Sequence, residues 1–186
     1  KKYFNNRANT FTCKIFIIVT TITVTIITII PMKRILLTGF EPFHEYKINS
    51  SWSLVDSFKN TTSDFECIKL LLPVEFKAVS NLVPEMLKQY QPDIVLAFGQ
   101  CTGDSIRIER VALNIDDARS ADNNGYTPTD EQIHADGKNA YFSTLPIKVI
   151  QHAVAAKNIP VDKFILIDFA QPLLLLYLCN RFSATG

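Results

Sequence analysis

The chain has 186 residues, of which 47% are apolar and 20% charged, and its formal net charge is +1. The apolar fraction is ample for a packed core, so a disordered chain is not expected. The small net charge, with no basic run, argues against nucleic acid or anionic membranes as partners. The four cysteines are widely spaced and include no Cys-x-x-Cys pair, which favours neither a zinc site nor a disulfide framework and fits a reducing, cytoplasmic compartment.

The first 31 residues differ in character from the rest. They begin at Lys1 and contain an uncharged run of Ile, Val and Thr at 15–30, which is shorter than the ~20 residues that a membrane-spanning helix needs. We interpret residues 1–31 as a non-native or untranslated extension before Met32. The alternatives are a signal peptide or membrane anchor, which the basic residues before the run would suit, and a folded extension.

From Met32 onward, short apolar runs alternate with amphipathic segments. Residues 35–38 form a continuous apolar run, as expected for a strand that is buried on both faces. Residues 49–51 offer Asn and Ser as helix caps, and apolar residues then recur every three positions up to Phe58. A second strand is predicted at 65–72, where Pro73 ends it.

The clearest helix is predicted over residues 76–90. Its apolar side chains fall at helical spacing, and Gln91-Pro92-Asp93 ends it. Residues 94–98 form another fully apolar strand. Residues 107–115 alternate well enough to predict one more strand.

The remaining segments complete an α/β pattern. Residues 116–129 are rich in Asp, Asn, Gly and Pro and are predicted to be a loop, whereas Pro146 begins a helix that ends before Pro160. A last apolar strand is predicted at 164–167. The alternation predicts a single three-layer α/β/α domain over residues 32–186, built around a mainly parallel twisted sheet. Ligands of such sheets bind outside the carboxyl ends of the strands.

Two motifs lie at predicted strand ends. In residues 39–43, Gly-Phe-Glu-Pro-Phe, the glycine lets the backbone turn sharply and approach a ligand. Phe40 and Phe43 then either line a small apolar slot or are ordinary core residues. In residues 99–104, Gln100 lies at the functional rim, and a turn there can present backbone N–H and C=O groups. Cys101 is a candidate nucleophile or, as we prefer, a small buried residue.

Charged residues follow the second motif. Glu109 lies near Arg107 and Arg110, and taken alone it is interpreted as part of a solvated ion pair. The next loop carries three acidic residues, Asp116, Asp117 and Asp122. They resemble a metal cluster, but no histidine or further carboxylate has ligand spacing, and aspartates in turns commonly bind their own backbone. We therefore expect no metal and no cofactor.

Together these segments resemble the pyroglutamyl peptidase I family, cysteine peptidases that remove an N-terminal pyroglutamate from peptides. The resemblance covers residues 32–163, with matches at 32–43, 99–125 and 136–148, and it is sharpest at 109–114. It implies that Glu109 is the catalytic carboxylate that orients an imidazole. It also implies that Phe40 and Phe43 pack around the flat lactam of the substrate and that Gln100 belongs to the same binding site.

The family nucleophile follows a strand and precedes an asparagine, a pattern that Tyr177-Leu178-Cys179-Asn180 matches. The resemblance therefore implies that Cys179 is the nucleophile and that Tyr177 lines the pocket. Residues 168–176 depart from the family pattern, since its Ala-Gly turn is missing. No histidine follows Asn180, and the three histidines of the chain come earlier, at His44, His134 and His152.

The resemblance implies a cytoplasmic thiol peptidase that acts on N-terminal pyroglutamyl peptides through an acyl-enzyme. We expect the sequence as written to be inactive and incomplete at its C-terminus, because the catalytic histidine is missing. A frameshift or a genuine truncation would each explain the divergent C-terminal segment. The alternative is a non-catalytic α/β binding protein or decayed paralogue, which Asp104 also favours because it replaces a family arginine. The resemblance leaves a homo-oligomer open.

Overall fold

A parallel three-stranded sheet lies at the centre of the structure, a computed structural model that describes residues 34–60, 64–101 and 104–164. Its strands are β1 (Arg34–Phe40), β2 (Glu66–Leu72) and β3 (Ile94–Ala97), in the order β2-β1-β3. In the register, Leu36 of β1 lies between Ile68 and Val95. Every residue of β1 after Arg34 is buried, which confirms the prediction of a strand covered on both faces.

Helices cover both faces of this sheet: α1 (Ser50–Ser57), α2 (Phe76–Tyr90) and α3 (Ile147–Ala155). Because side chains alternate along a strand, Ile35 and Leu37 point to the face shared by α1 and α3, where they pack with a cluster that includes Val55 and Val154. Leu36 and Phe40 point to the opposite face, where they pack with residues of α2. This layering confirms the predicted α/β fold with a mainly parallel sheet.

Four shorter strands form two further pairs: β4 (Ile106–Glu109), β5 (Val111–Leu113), β6 (Ala140–Phe142) and β7 (Val161–Phe164). β4 and β7 are parallel, and β5 and β6 are antiparallel. Ile106 and Val161 pack against the core shared by α1 and α3, so the β4–β7 pair belongs to the same core as the central sheet.

The single strand predicted at 107–115 is wrong, because the chain changes its partner at Arg110. Residues before Arg110 pair with β7, whereas those after it pair with β6, and the Arg110 carbonyl accepts a hydrogen bond from the Ser143 N–H. The alternating pattern continues through the break, so periodicity alone does not reveal it. The strand β6 was not predicted. The strand predicted at 164–167 begins earlier, at Val161, and residues from 165 onward lie outside the described part.

The helix boundaries follow the predicted signals. Asn49 is the N-cap of α1, and α2 ends where Gln91 adopts a left-handed conformation with φ 44°. α3 begins directly after Pro146. Within the described residues, no helix has the length and hydropathy needed to cross a membrane. The run at 15–30, with the rest of residues 1–31, lies outside the described part of the chain.

Candidate active site

The candidate site residues occupy strand ends. Phe40 is the last residue of β1, and Gln100 follows the end of the neighbouring parallel strand β3. Both bind the first turn of α1: the Phe40 N–H donates to Ser51 Oγ at 3.0 Å, and Gln100 Oε1 accepts the Ser50 N–H at 2.8 Å. The N-terminus of α1 therefore brings together two of the predicted site residues.

Gly39 lets α1 approach the end of β1. A Cβ at this position would lie 2.8 Å from the backbone C and O atoms of Ser51 and from the Cα atom of Trp52. The sequence predicted that this glycine lets the backbone approach a ligand; in the structure it lets the backbone approach the start of a helix, and the approach to a ligand stays a prediction. This contact between Gly39 and α1 fixes the backbone at Phe40, where β1 ends and the loop at 41–48 begins.

Asn49 fastens that loop to α1. Its Oδ1 accepts the Ser51 N–H at 3.0 Å and the Ser51 hydroxyl at 2.7 Å, which satisfies a helix donor that would otherwise lack a partner. Its Nδ2 donates to the Glu41 carbonyl at 2.8 Å. Asn49 was predicted only as a cap, and its bond to Glu41 adds a link between the helix and the motif at 39–43.

The two phenylalanines of this motif have different environments. Phe40 is only 5% exposed and packs with the core on the α2 face, which matches the interpretation of it as a core residue. Phe43 is half-buried, with ring centroids 5.2 Å from His44 and 5.4 Å from Tyr46. Phe43 is therefore the more accessible aromatic face, and the substrate-binding role of both residues stays a prediction.

The segment after β3 leaves the protein interior. Gly99 and Cys101 are both exposed, whereas Gln100 is half-buried because its side chain binds α1. The expectation that Cys101 is a small buried residue is therefore wrong. The apolar run ends at Phe98, so the thiol lies beyond the part of this segment that packs in the core.

Glu109 ends β4 and lies in register with Phe164, the last residue of β7. The side chain is half-buried, and its Oε2 atom is almost completely shielded from solvent. The carboxylate is therefore less exposed than the solvated ion pair that the charge pattern alone suggested, and the ion pair itself stays a prediction. Its catalytic role stays a prediction, and Tyr177 and Cys179 lie outside the described residues.

Asp122 binds backbone groups, as predicted for aspartates in turns. Its Oδ1 accepts the N–H groups of Asn124 and Tyr126, each at 2.9 Å, and its Oδ2 accepts the Phe76 N–H at 3.0 Å. The last bond places a carboxylate at the N-terminus of α2, where the helix dipole favours negative charge. Over 34–60, 64–101 and 104–164, no three His, Cys, Asp or Glu side chains are grouped to hold a metal ion.

Asp116 is a buried carboxyl group, and nothing in the sequence predicted its burial. It is 8% exposed, and its Oδ1 receives no hydrogen bond from the described part of the chain. Burial, with a smaller contribution from the nearby Glu131 charge, raises the pKa of Asp116 to about 6. The Tyr126 hydroxyl donates to Glu131, and this bond is the main cause that raises the pKa of Tyr126 to about 12.

The raised pKa of Asp116 predicts that stability decreases with rising pH. The folded state binds this proton more tightly than the unfolded chain, whose pKa is near 3.8, so the stabilisation is complete below the lower value and is lost as pH rises through about 6. We expect Asp116→Asn to raise the free energy of unfolding at about pH 8 by roughly 2 kcal/mol and to have little effect near pH 4. Urea denaturation across this range measures the difference.

The matched control for this prediction is Asp117→Asn, since Asp117 is the exposed neighbour of Asp116. This control should leave the pH dependence as it is in the unsubstituted protein. Parallel stability curves for Asp116→Asn and the unsubstituted protein would contradict the prediction.

Fold and site together define a class: a three-layer α/β protein whose candidate functional residues gather where the strands end. Within this class, the family described as pyroglutamyl peptidase (peptidase C15) matches residues 33–180, more than half of the chain. The chain belongs to the pyroglutamyl peptidase family. The match extends beyond the resemblance over 32–163 and includes Cys179 and Asn180.

The curated relatives that match are named pyrrolidone-carboxylate peptidases. The pyrrolidone-carboxylate peptidase of Brachyspira hyodysenteriae is 48% identical over 128 residues, which cover 68% of this chain and 64% of the relative. That of Thermococcus onnurineus is 44% identical over 128 residues, with the same coverage. The matched part of this chain thus spans 64% of the length of these relatives.

Solved structures of the family share the fold. Pyroglutamyl peptidase I of Bacillus amyloliquefaciens superposes with a TM-score of 0.75 at 33% identity, covering 81% of this chain and 75% of that one. Pyrrolidone carboxyl peptidase of Fervidobacterium islandicum gives a TM-score of 0.78 at 31% identity, covering 83% and 76%. These similarities confirm the α/β fold.

Proposed function

We propose that this chain carries the substrate pocket of a cysteine peptidase that releases pyroglutamate from the N-terminus of peptides, together with two of its catalytic residues, Glu109 and Cys179. The observation that carries the proposal is the family match, because it runs through all the candidate residues from Phe40 and Glu109 to Cys179. The activity is inferred from relatives that this chain covers in part.

In the proposed reaction, the Cys179 thiolate attacks the pyroglutamyl carbonyl carbon. An imidazole, which we assign to none of the three histidines of this sequence, takes the thiol proton and passes it to the departing amine, which leaves an acyl-enzyme that water hydrolyses. Glu109 accepts the other imidazole N–H and so fixes the tautomer and stabilises the imidazolium. Its shielded oxygen supports this role, because a hydrogen bond to a partly buried carboxylate is stronger than one in water.

The β4–β7 pairing supports the assignment of Glu109. This residue lies beside the end of β7, and β7 is the last described strand before the segment that leads to Cys179. A carboxylate at that strand end is suited to orient an imidazole that serves a thiol from the following segment.

The proposed pocket holds the lactam ring between aromatic faces. Phe43 offers the accessible ring, and Phe40 supports the same loop from the core. We propose Tyr177, which lies outside the described residues, as a further wall. The Gln100 side chain is already bound to α1, so we propose that its backbone groups face the lactam amide. The substrates that we propose are peptides that begin with pyroglutamate. We propose the cytoplasm as the compartment. A homo-oligomer is compatible with the proposal but is not required by it.

A second candidate function is non-catalytic binding of small lactams or pyroglutamyl peptides. The sequence observation that favours it is the position of the histidines, all of which precede Cys179. His44 and His152 are exposed, and His134 is held to Asn114 through its backbone N–H and C=O groups. Both candidates require the same pocket, and they differ in turnover.

The pocket can be tested without turnover. We expect isothermal calorimetry to show that the 186-residue chain binds L-pyroglutamate and does not bind L-proline, which has the same ring without the lactam carbonyl. Phe43→Ala should weaken binding of pyroglutamate about tenfold, the loss expected for one aromatic contact.

Phe142→Ala is the matched control, because Phe142 is 62% exposed on β6. It should bind pyroglutamate as tightly as the unsubstituted chain. Equal affinity for pyroglutamate and proline, or no binding of either, would contradict the proposed pocket.

A further inference from the structure

The segment between β5 and β6 forms a hairpin, which we call the 116–131 hairpin. Asp116 and Glu131 exchange two backbone hydrogen bonds of 2.7 and 2.9 Å at its base. Further along, the Asp122 N–H donates to the Tyr126 carbonyl at 2.9 Å, and the tip turns at Gly125, whose φ of +79° suits glycine. The hairpin thus has a defined shape from base to tip.

The tip of the hairpin is docked on the corner between β2 and α2. The Asn123 N–H donates to the Val74 carbonyl at 2.9 Å, and Asp122 Oδ2 accepts the Phe76 N–H at 3.0 Å. The Lys77 Nζ atom lies 4.1 Å from the centroid of the Tyr126 ring. Backbone, carboxylate and cation–π contacts together hold the tip against the end of the central sheet.

From this docked position the hairpin reaches the loop after β1 on both sides of Phe43. Asn123 Nδ2 donates to the Pro42 carbonyl at 3.0 Å, and Ser120 Oγ lies 3.4 Å from His44 Nε2. The two contacts flank the residue that we propose as the accessible wall of the pocket.

The loop at 41–48 is bound to Asn49 at Glu41, but the part around Phe43 is held within the loop only by contacts to His44 and Tyr46, which are themselves exposed. Tyr46 and Ile48 are 54% and 69% exposed, and His44 has a φ of 53°, a conformation that a non-glycine residue adopts at a cost. A loop of this kind needs an outside restraint if a ring within it is to keep a fixed position.

We propose that Asn123 is a positioning residue for the pyroglutamyl pocket and that the 116–131 hairpin clamps the Phe43 loop through the bond from Asn123 to Pro42. The role of the clamp in binding rests on the proposed function, whereas the clamp itself rests on the hydrogen bonds alone. Asn123 touches no substrate in this account and acts through Phe43.

The test compares Asn123→Ala and Asn123→Asp with the control Asn124→Ala in the full 186-residue chain. The aspartate variant keeps the size of the side chain and removes the N–H donor. Asn124 is the exposed neighbour at the tip and bonds to Asp122 through its backbone N–H, which the control retains.

The first measurement is hydrogen–deuterium exchange at residues 41–48. The Tyr46 N–H, which donates to the Phe43 carbonyl at 3.2 Å, reports on the turn around Phe43. We expect both Asn123 variants to exchange about fivefold faster there, the factor that corresponds to one lost hydrogen bond. The control should be unchanged.

The second measurement is the affinity for L-pyroglutamate, which should fall about fivefold in both Asn123 variants. The midpoint of unfolding of these variants should equal that of the control. Exchange at 41–48 that matches the control, or faster exchange with unchanged affinity, would overturn the positioning role. If the unsubstituted chain does not bind pyroglutamate but exchange responds as expected, the proposed function fails and the clamp is supported.

Discussion

The 186-residue polypeptide is expected to release no measurable coumarin from a pyroglutamyl-coumarin reporter. We propose that Cys179 has no imidazole partner among the three histidines of this sequence, and a cysteine without one loses thiolate stabilisation and the proton donor for the departing amine. The members of such a triad act as a unit, so the loss of one lowers the rate by roughly three orders of magnitude or more. A fluorescence assay at high protein concentration measures the residual rate.

Bacillus amyloliquefaciens pyroglutamyl peptidase I serves as the positive control for the reporter. Turnover by the 186-residue chain that iodoacetamide abolishes would contradict the prediction. If His134→Asn also abolished it, the imidazole of His134 would be identified as the recruited base. Turnover insensitive to iodoacetamide would exclude the thiol mechanism.

The central elements β1, β3 and α2 could be predicted because the hydrophobic pattern of the sequence indicates directly which of their residues are buried. Helix α2 was predicted over residues 76–90 and has those bounds, since its apolar stripe and the break at Gln91-Pro92 are both local signals. β1 and β3 were equally clear, because strands buried on both faces need continuous apolar runs.

Elements that depend on partner choice were not predictable in the same way. β4 and β5 share one alternating pattern, yet they pair with strands from distant parts of the chain. The short strand β6 contributes only Tyr141 to the buried residues, and its signal is correspondingly weak. Pairing of this kind is determined by tertiary contacts and leaves little trace in local periodicity.

The candidate site shows the same division. Phe40 and Gln100 could be assigned to strand ends, because the end of an apolar run is visible in the sequence, whereas Glu109 was predicted inside the strand at 107–115 and in fact ends β4. The bond from Asn123 to Pro42 joins residues 81 positions apart, and no pattern within either segment indicates it. Asp116 was predicted only as one of three aspartates in a polar loop that bind their own backbone, and its burial becomes evident only from its pairing with Glu131.

The catalytic role proposed for Glu109 can be tested only in a chain that turns over substrate. Residues 165–186 can be replaced by the segment of the Bacillus amyloliquefaciens enzyme that follows its matching strand, so that the described part of this chain supplies Glu109 and the Phe43 loop. We expect this chimera to hydrolyse the reporter. Glu109→Gln keeps the size of the side chain but removes the charge that stabilises an imidazolium, so the rate should fall about 1,000-fold.

Glu66→Gln is the matched control, because Glu66 is an exposed carboxylate at the start of β2, where it pairs with Arg34. Its loss removes a surface ion pair that contributes about 0.5 kcal/mol to stability. This variant of the chimera should keep the full rate, which separates a general effect of charge from one specific to Glu109.

The most direct test of whether this chain carries a pyroglutamyl peptidase site is a comparison of kcat/KM for the chimera with and without Glu109→Gln. The pyroglutamyl-coumarin reporter measures both values. We expect turnover by the chimera, a loss of about 1,000-fold in Glu109→Gln that lies mainly in kcat, and no loss in Glu66→Gln. A folded chimera that turns over the reporter equally well with glutamine at position 109 would contradict this expectation.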